Sequence, residues 1–85
     1  MNTTHVQIIT LEQVVYSGDV EVITLPGAEG QLGILANHAS LMSILDKGTI
    51  SLKTVEGTKV FSVDGGFVEV NNNSVTILAD SCEAD

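Results

Sequence analysis

Two histidines, one cysteine, three evenly spaced glycines and a scatter of carboxylates are the residues of this chain able to do chemistry. Gly27, Gly30 and Gly33 lie in LPGAEGQLGILANHASL, Leu25 to Leu41, and suggest a phosphate cradle. They run as GxxGxxG, whereas a dinucleotide fingerprint needs GxGxxG and a nucleotide loop ends in Gly-Lys-Ser or Gly-Lys-Thr. A phosphate also requires a lysine or a helix N-terminus, and Glu29 inside this loop opposes one. The glycines read instead as backbone devices: Pro26–Gly27 as a tight turn, Gly30 and Gly33 as bends where the chain crosses between sheets.

His38 and Ser40 suggest a base and a nucleophile. Alternate residues of an extended chain share a side, but that does not supply the hydrogen bond a triad requires, so no residue is assigned a catalytic role. His5, His38 and Cys82 do not form a ligand set with metal-site spacing, and neither a metal nor a cofactor is expected. Asp64, Glu69 and Asp80 fall near turns or on outward phases and read as a solvated face rather than as paired acid and base.

The charge balance narrows the partners. Eleven acids face three bases, Lys47, Lys53 and Lys59, for a formal net charge of −8. A polyanion needs a basic footprint, so nucleic acid and direct adhesion to anionic lipid are excluded. No segment reaches the roughly 20 apolar residues that span a bilayer, and no leader pattern opens the chain, so neither secretion nor membrane insertion is expected. Cys82 has no second cysteine to pair with, which suits a reducing compartment, and reads as incidental to a frayed tail.

Short β-branched runs punctuated by glycine, asparagine and acids, without helical periodicity, point to an all-β domain. In TISLKTV, Ile50 and Leu52 share one face and Ser51 and Lys53 the other, as in a strand with one wet side. Glu56–Gly57, Asp64–Gly66 and Asn71–Asn73 turn the chain into TKVFSV, FVEV and SVTILA. Earlier, HVQIITL, QVVY and DVEVITL are separated by Glu12 and a Ser17–Gly18 turn. Leu41 to Asp46, LMSILD, is apolar on both phases, which requires either a strand covered on both faces or an exposed patch awaiting a partner. With 85 residues, 44% apolar and 16% charged, one globular domain is expected over residues 1–80 with a short tail at 81–85. Such a domain has no room for a deep pocket, and its function belongs on its surface.

Four stretches, in order, resemble the epsilon subunit of the F-type ATP synthase, a family called delta in mitochondria. They are Gly27 to Ile34, His38 to Leu41, Gly65 to Val70 and Val75 to Asp80, and the likeness spans Val6 to Asp80. The resemblance implies a flattened antiparallel β-sandwich of about ten short strands. It also implies a noncatalytic part of the central stalk, or rotor, that joins the gamma subunit to the membrane c-ring and so couples proton transport to ATP synthesis. Carried over by position, Glu29, Gln31 and Leu32 face the polar loops of the c-ring, and His38, Leu41, Met42 and Ser43 face the gamma shaft. The expected place is the cytoplasmic face of the bacterial inner membrane, or the equivalent organelle compartment, as a peripheral part of the complex. Gln31 stands where many members have glutamate, and Asn37 and Ser40 replace a common glycine and proline. Most members continue into a two-helix hairpin that carries ATP binding and ATPase inhibition; this sequence ends at SCEAD, so no nucleotide is expected. The other readings are a free-standing acidic β-sandwich binding module and, third, a hydrolase acting through Ser40 and His38.

Overall fold

The computed structural model describes residues 3–36 and 40–84. His38 and its neighbours Asn37 and Ala39 lie outside the described residues. Ten strands follow in order: β1 Thr4–Ile9, β2 Val14–Val20, β3 Val22–Gly27, β4 Gly30–Leu35, β5 Leu41–Leu45, β6 Gly48–Thr54, β7 Gly57–Val63, β8 Gly66–Asn71, β9 Ser74–Ala79 and β10 Cys82–Ala84. The all-β fold expected from alternation and the sandwich implied by the resemblance are both observed, and no helix occurs among the described residues.

Strand pairing runs β10-β7-β6-β3-β5-β8-β9-β1-β2, with β4 on β3. The path folds over where β3 passes between neighbours. Val22 to Thr24 pair with Lys53 to Ser51 of β6, and only Gly27 pairs with Leu45 of β5. This single link divides the order into a layer β4-β3-β6-β7-β10 and a layer β5-β8-β9-β1-β2. Both contribute to one core that contains Ile23, Leu25, Ile34, Ile50, Leu52, Phe61 and Val63 from the first and Val6, Ile8, Val20, Leu45, Val68, Val70, Val75 and Ile77 from the second. Tyr16 of β2 reaches across the layers to meet the ring of Phe61 edge-on, centroids 5.7 Å apart.

Four local expectations are corrected. Ser17 and Gly18 do not turn the chain but continue β2. A Cβ on Gly18 would sit 3.1 Å from the Tyr16 hydroxyl, so this glycine makes room for a folded-back ring. The break falls at Glu21, and it resets the alternation so that Val20, Ile23 and Leu25 are all buried. Pro26 and Gly27 likewise belong to β3; the turn is Ala28–Glu29, Gly30 opens β4 at φ +133°, and Gly33 sits within β4. Cys82, assigned to the tail by sequence, starts β10, which pairs with β7 and packs against the core. Not every pair is antiparallel, since β1 runs parallel to β9.

That parallel pair has a visible cause. Asn72 and Asn73 adopt positive φ of 50° and 61°, making the two-residue turn between β8 and β9 that the asparagine run predicts. Asn73 then holds the start of β1: its Nδ2 donates to the Thr3 carbonyl at 2.7 Å, its Oδ1 accepts from the Thr4 hydroxyl at 2.9 Å, and its carbonyl accepts from the His5 amide. Hence β1 and β9 start side by side and run the same way.

Candidate docking groove and outer apolar row

The sequence-predicted contact residues come from two separate stretches, 29–32 and 38–43. The fold brings five of them to one place. Glu29, Gln31, Leu32, Met42 and Ser43 line an open groove of about 660 Å³ together with Gly27, Gly30, Ile44 and Phe67. Leu41 is half-buried against the core and borders the next groove along β5, which Met42 also lines.

Local chemistry makes the first groove rigid. The β3–β4 hairpin is tied to β5 by the Ala28 amide donating to the Ile44 carbonyl at 3.0 Å and the Asp46 amide donating to the Pro26 carbonyl at 2.7 Å. Gly27 is required by space, because a Cβ there would lie 2.5 Å from the Gly30 carbonyl oxygen and 2.9 Å from Leu32 Cγ. The turn carrying Glu29 is therefore tethered to β5.

The two-phase apolarity of β5 resolves into an inner and an outer face. Leu45 is buried, whereas Met42 and Ile44 are each 64% exposed. The outer face extends further than the sequence reading reached. Ile44 pairs with Phe67, Phe67 with Leu78, Leu78 with Ile9, and Ile9 with Val14 across a bulge. Paired residues share a face, so this is a continuous outward row over β5, β8, β9, β1 and β2. Sequence reasoning missed Phe67, Leu78, Ile9 and Val14, although a signal was present. Four strands of this layer contain adjacent apolar residues, Ile8–Ile9, Ile44–Leu45, Phe67–Val68 and Ile77–Leu78, and one of each pair must face out.

No group of three or more histidine, cysteine or acidic side chains is arranged to hold a metal ion among the described residues. Asp64, Glu69 and Asp80 are all exposed. Every buried side-chain nitrogen and oxygen among the described residues has a hydrogen-bond partner, so the interior presents no orphaned polar atom to a ligand. What the surface offers is contact area.

The family model for the β-sandwich domain of the ATP synthase delta/epsilon chain matches residues 3–85. This chain belongs to that family. The ATP synthase epsilon chain of Caulobacter vibrioides is 42% identical over 76 residues, an alignment covering 89% of this chain and 88% of that one. The epsilon chain of Campylobacter fetus is 41% identical over 81 residues, which is 94% of this chain but 63% of that one, and that of Chloroflexus aggregans is 48% identical over 80 residues and 57% of its length. The chain thus spans about three fifths of several relatives that it matches. In fold, it superposes on a chain of the Euglena gracilis mitochondrial ATP synthase, OSCP/F1/c-ring in rotational state 1, with a TM-score of 0.91 and 22% identity, covering 99% of this chain and 54% of that one. A chain of the Tetrahymena thermophila mitochondrial ATP synthase, central stalk and c-ring, gives a TM-score of 0.78 at 21% identity, with 93% and 64% covered. Among the described residues no helix is long and apolar enough to cross a membrane.

Proposed function

We propose that this chain is a noncatalytic rotor subunit of an F-type ATP synthase, coupling rotation of the c-ring to the gamma shaft and the catalytic head. The observation carrying this reading is that Glu29, Gln31 and Leu32 converge with Met42 and Ser43 on one rigid groove, in a chain of the epsilon family. Glu29, Gln31 and Leu32, on the hairpin tip, meet the polar loops of the c-ring, with Glu29 supplying the charge and Gln31 neutral hydrogen bonds. His38, Leu41, Met42 and Ser43 meet the gamma subunit. The complex holds the domain peripherally at the cytoplasmic face of the bacterial inner membrane or its organelle equivalent.

Torque transmission asks for stiffness rather than chemistry, and a sandwich whose hairpin tip is hydrogen-bonded to the neighbouring layer supplies it. The test is to mix the chain with its cognate gamma subunit and look for a stable complex by sedimentation. A complex at micromolar concentration is expected, and Met42→Glu is expected to weaken it about tenfold or more, because an unpaired charge would enter a desolvated contact. Persistent monomers of the unmodified chain would overturn the reading.

A further inference from the structure

Because Ser17 and Gly18 continue β2 instead of turning the chain, Ser17 and Asp19 stand on the same face of that strand. His5 joins them from β1. Its chain neighbours Thr4 and Val6 are buried, so its own side chain faces out, and the register sets it directly opposite Asp19, with Gln7 opposite Ser17. Three side chains then stand in line across the two strands. His5 Nδ1 lies 3.0 Å from Asp19 Oδ1, and His5 Nε2 lies 3.5 Å from Ser17 Oγ.

The carboxylate fixes the tautomer. An ionised aspartate can only accept, so Nδ1 carries the proton that it donates, and Nε2 is left with a lone pair turned toward the Ser17 hydroxyl. Nucleophile, base and orienting acid thus follow in the order that acyl transfer needs. The 3.5 Å contact is long, as such contacts often are before substrate arrives. The backbone holds the base in place: the His5 amide donates to the Asn73 carbonyl, and β1 is paired on both sides, by β2 and by β9. Gln7, opposite Ser17 on the same outward face, supplies an amide donor within cross-strand reach of an oxyanion formed there. Ser43 provides the contrast, since it too is exposed on a strand but its hydroxyl donates to the Ile44 carbonyl rather than to a base.

The His5 and Asp19 side chains are 48% and 67% exposed, on an open strand surface. Such a surface has no walls to select a large substrate, so the acyl donor must be small and must carry its own good leaving group. We infer that Ser17 is a nucleophile toward small activated esters, with His5 as its base and Asp19 as the positioning residue. Ser17 Oγ bonds the carbonyl carbon while its proton passes to His5 Nε2; the bond from that carbon to the leaving-group oxygen breaks, and the proton departs on that oxygen. Water then cleaves the acyl-Ser17 ester, its proton passing through Nε2 back to Oγ, and a carboxylic acid is released.

The test treats the whole chain with p-nitrophenyl acetate and reads p-nitrophenol release together with the position of the acetyl group by peptide mass mapping. Ser17 should be acetylated about tenfold or more faster than Ser43, and Ser17→Ala should remove that label. His5→Gln and Asp19→Asn should each slow acetylation of Ser17 by about tenfold or more, with an unchanged unfolding midpoint. A His5–Asp19 pair that only fastened β1 to β2 would leave the Ser17-to-Ser43 ratio unchanged in both variants, and that result overturns the inference. So does labelling of Ser17 no faster than of Ser43 in the unmodified chain. Gamma takes no part in this reaction, so the rotor reading stands or falls separately.

Discussion

The outer faces of the two layers differ more than their inner faces do. Outside β4-β3-β6-β7-β10, the polar Thr24, Ser51, Lys53 and Ser62 alternate with the half-buried Val22 and Val60 and the exposed Leu35, so no apolar row crosses all five strands. Outside β5-β8-β9-β1-β2, an apolar row crosses every strand. Inward residues of both layers are apolar because water must be excluded from the core; that requirement is silent about the other face. An apolar outer row is thus a feature that folding leaves unexplained and that contact with another molecule would explain.

Adjacent residues on β9 give the sharpest way to break the comparison. Ile77 is buried and Leu78 is 47% exposed. Ile77→Ala should destabilise the domain by about 2–5 kcal/mol in denaturant unfolding, through lost burial and the cavity left behind. A smaller loss, about 1–3 kcal/mol, is expected for Gly66→Ala. Gly66 has φ +150°, and a Cβ there would collide with the Leu78 carbonyl, so the change disturbs the pairing that aligns Phe67 with Leu78. Asn73→Ala should cost about 1–2 kcal/mol by removing the side-chain bonds to Thr3 and Thr4 and placing alanine at positive φ. Asn73→Gly should recover only the backbone part, which a thermal melt would separate. Leu78→Ser should change stability by less than about 1 kcal/mol while weakening partner binding, the reverse of Ile77→Ala. Smallest of all, Lys53→Gln on the opposite layer should stay within about 0.5 kcal/mol in stability and leave partner binding unchanged. A binding loss from Lys53→Gln equal to that of Leu78→Ser would erase the distinction between the faces.

The hairpin turns read at Glu56–Gly57 and Asn71–Asn73 fall within a residue of that reading, at Val55–Glu56 and Asn72–Asn73, because their turn chemistry is local: a glycine at positive φ follows one, and asparagines tolerate it in the other. Gly18 misled because the sequence shows a missing side chain but not the tyrosine ring that fills its place. β4 was not read as a strand, since Gly30, Gln31 and Gly33 have low strand propensity and depend on full pairing with β3. The hairpin stretch and the β5 stretch were each legible as contact candidates, but their convergence on one groove was not, because it depends on two hydrogen bonds joining β3 and its turn to β5.

Alternation, turn residues and charge determined that this chain makes an acidic all-β domain with an apolar surplus in Leu41 to Leu45, since these depend on nearest neighbours and on totals. The tertiary structure alone decided that the surplus continues through Phe67, Leu78, Ile9 and Val14, and that Glu29 sits beside Met42. Both results depend on strand register and on the parallel placement of β1 beside β9, which joins residues about seventy positions apart. Such pairings are selected by burying a whole core at once, and no short stretch of sequence contains that information.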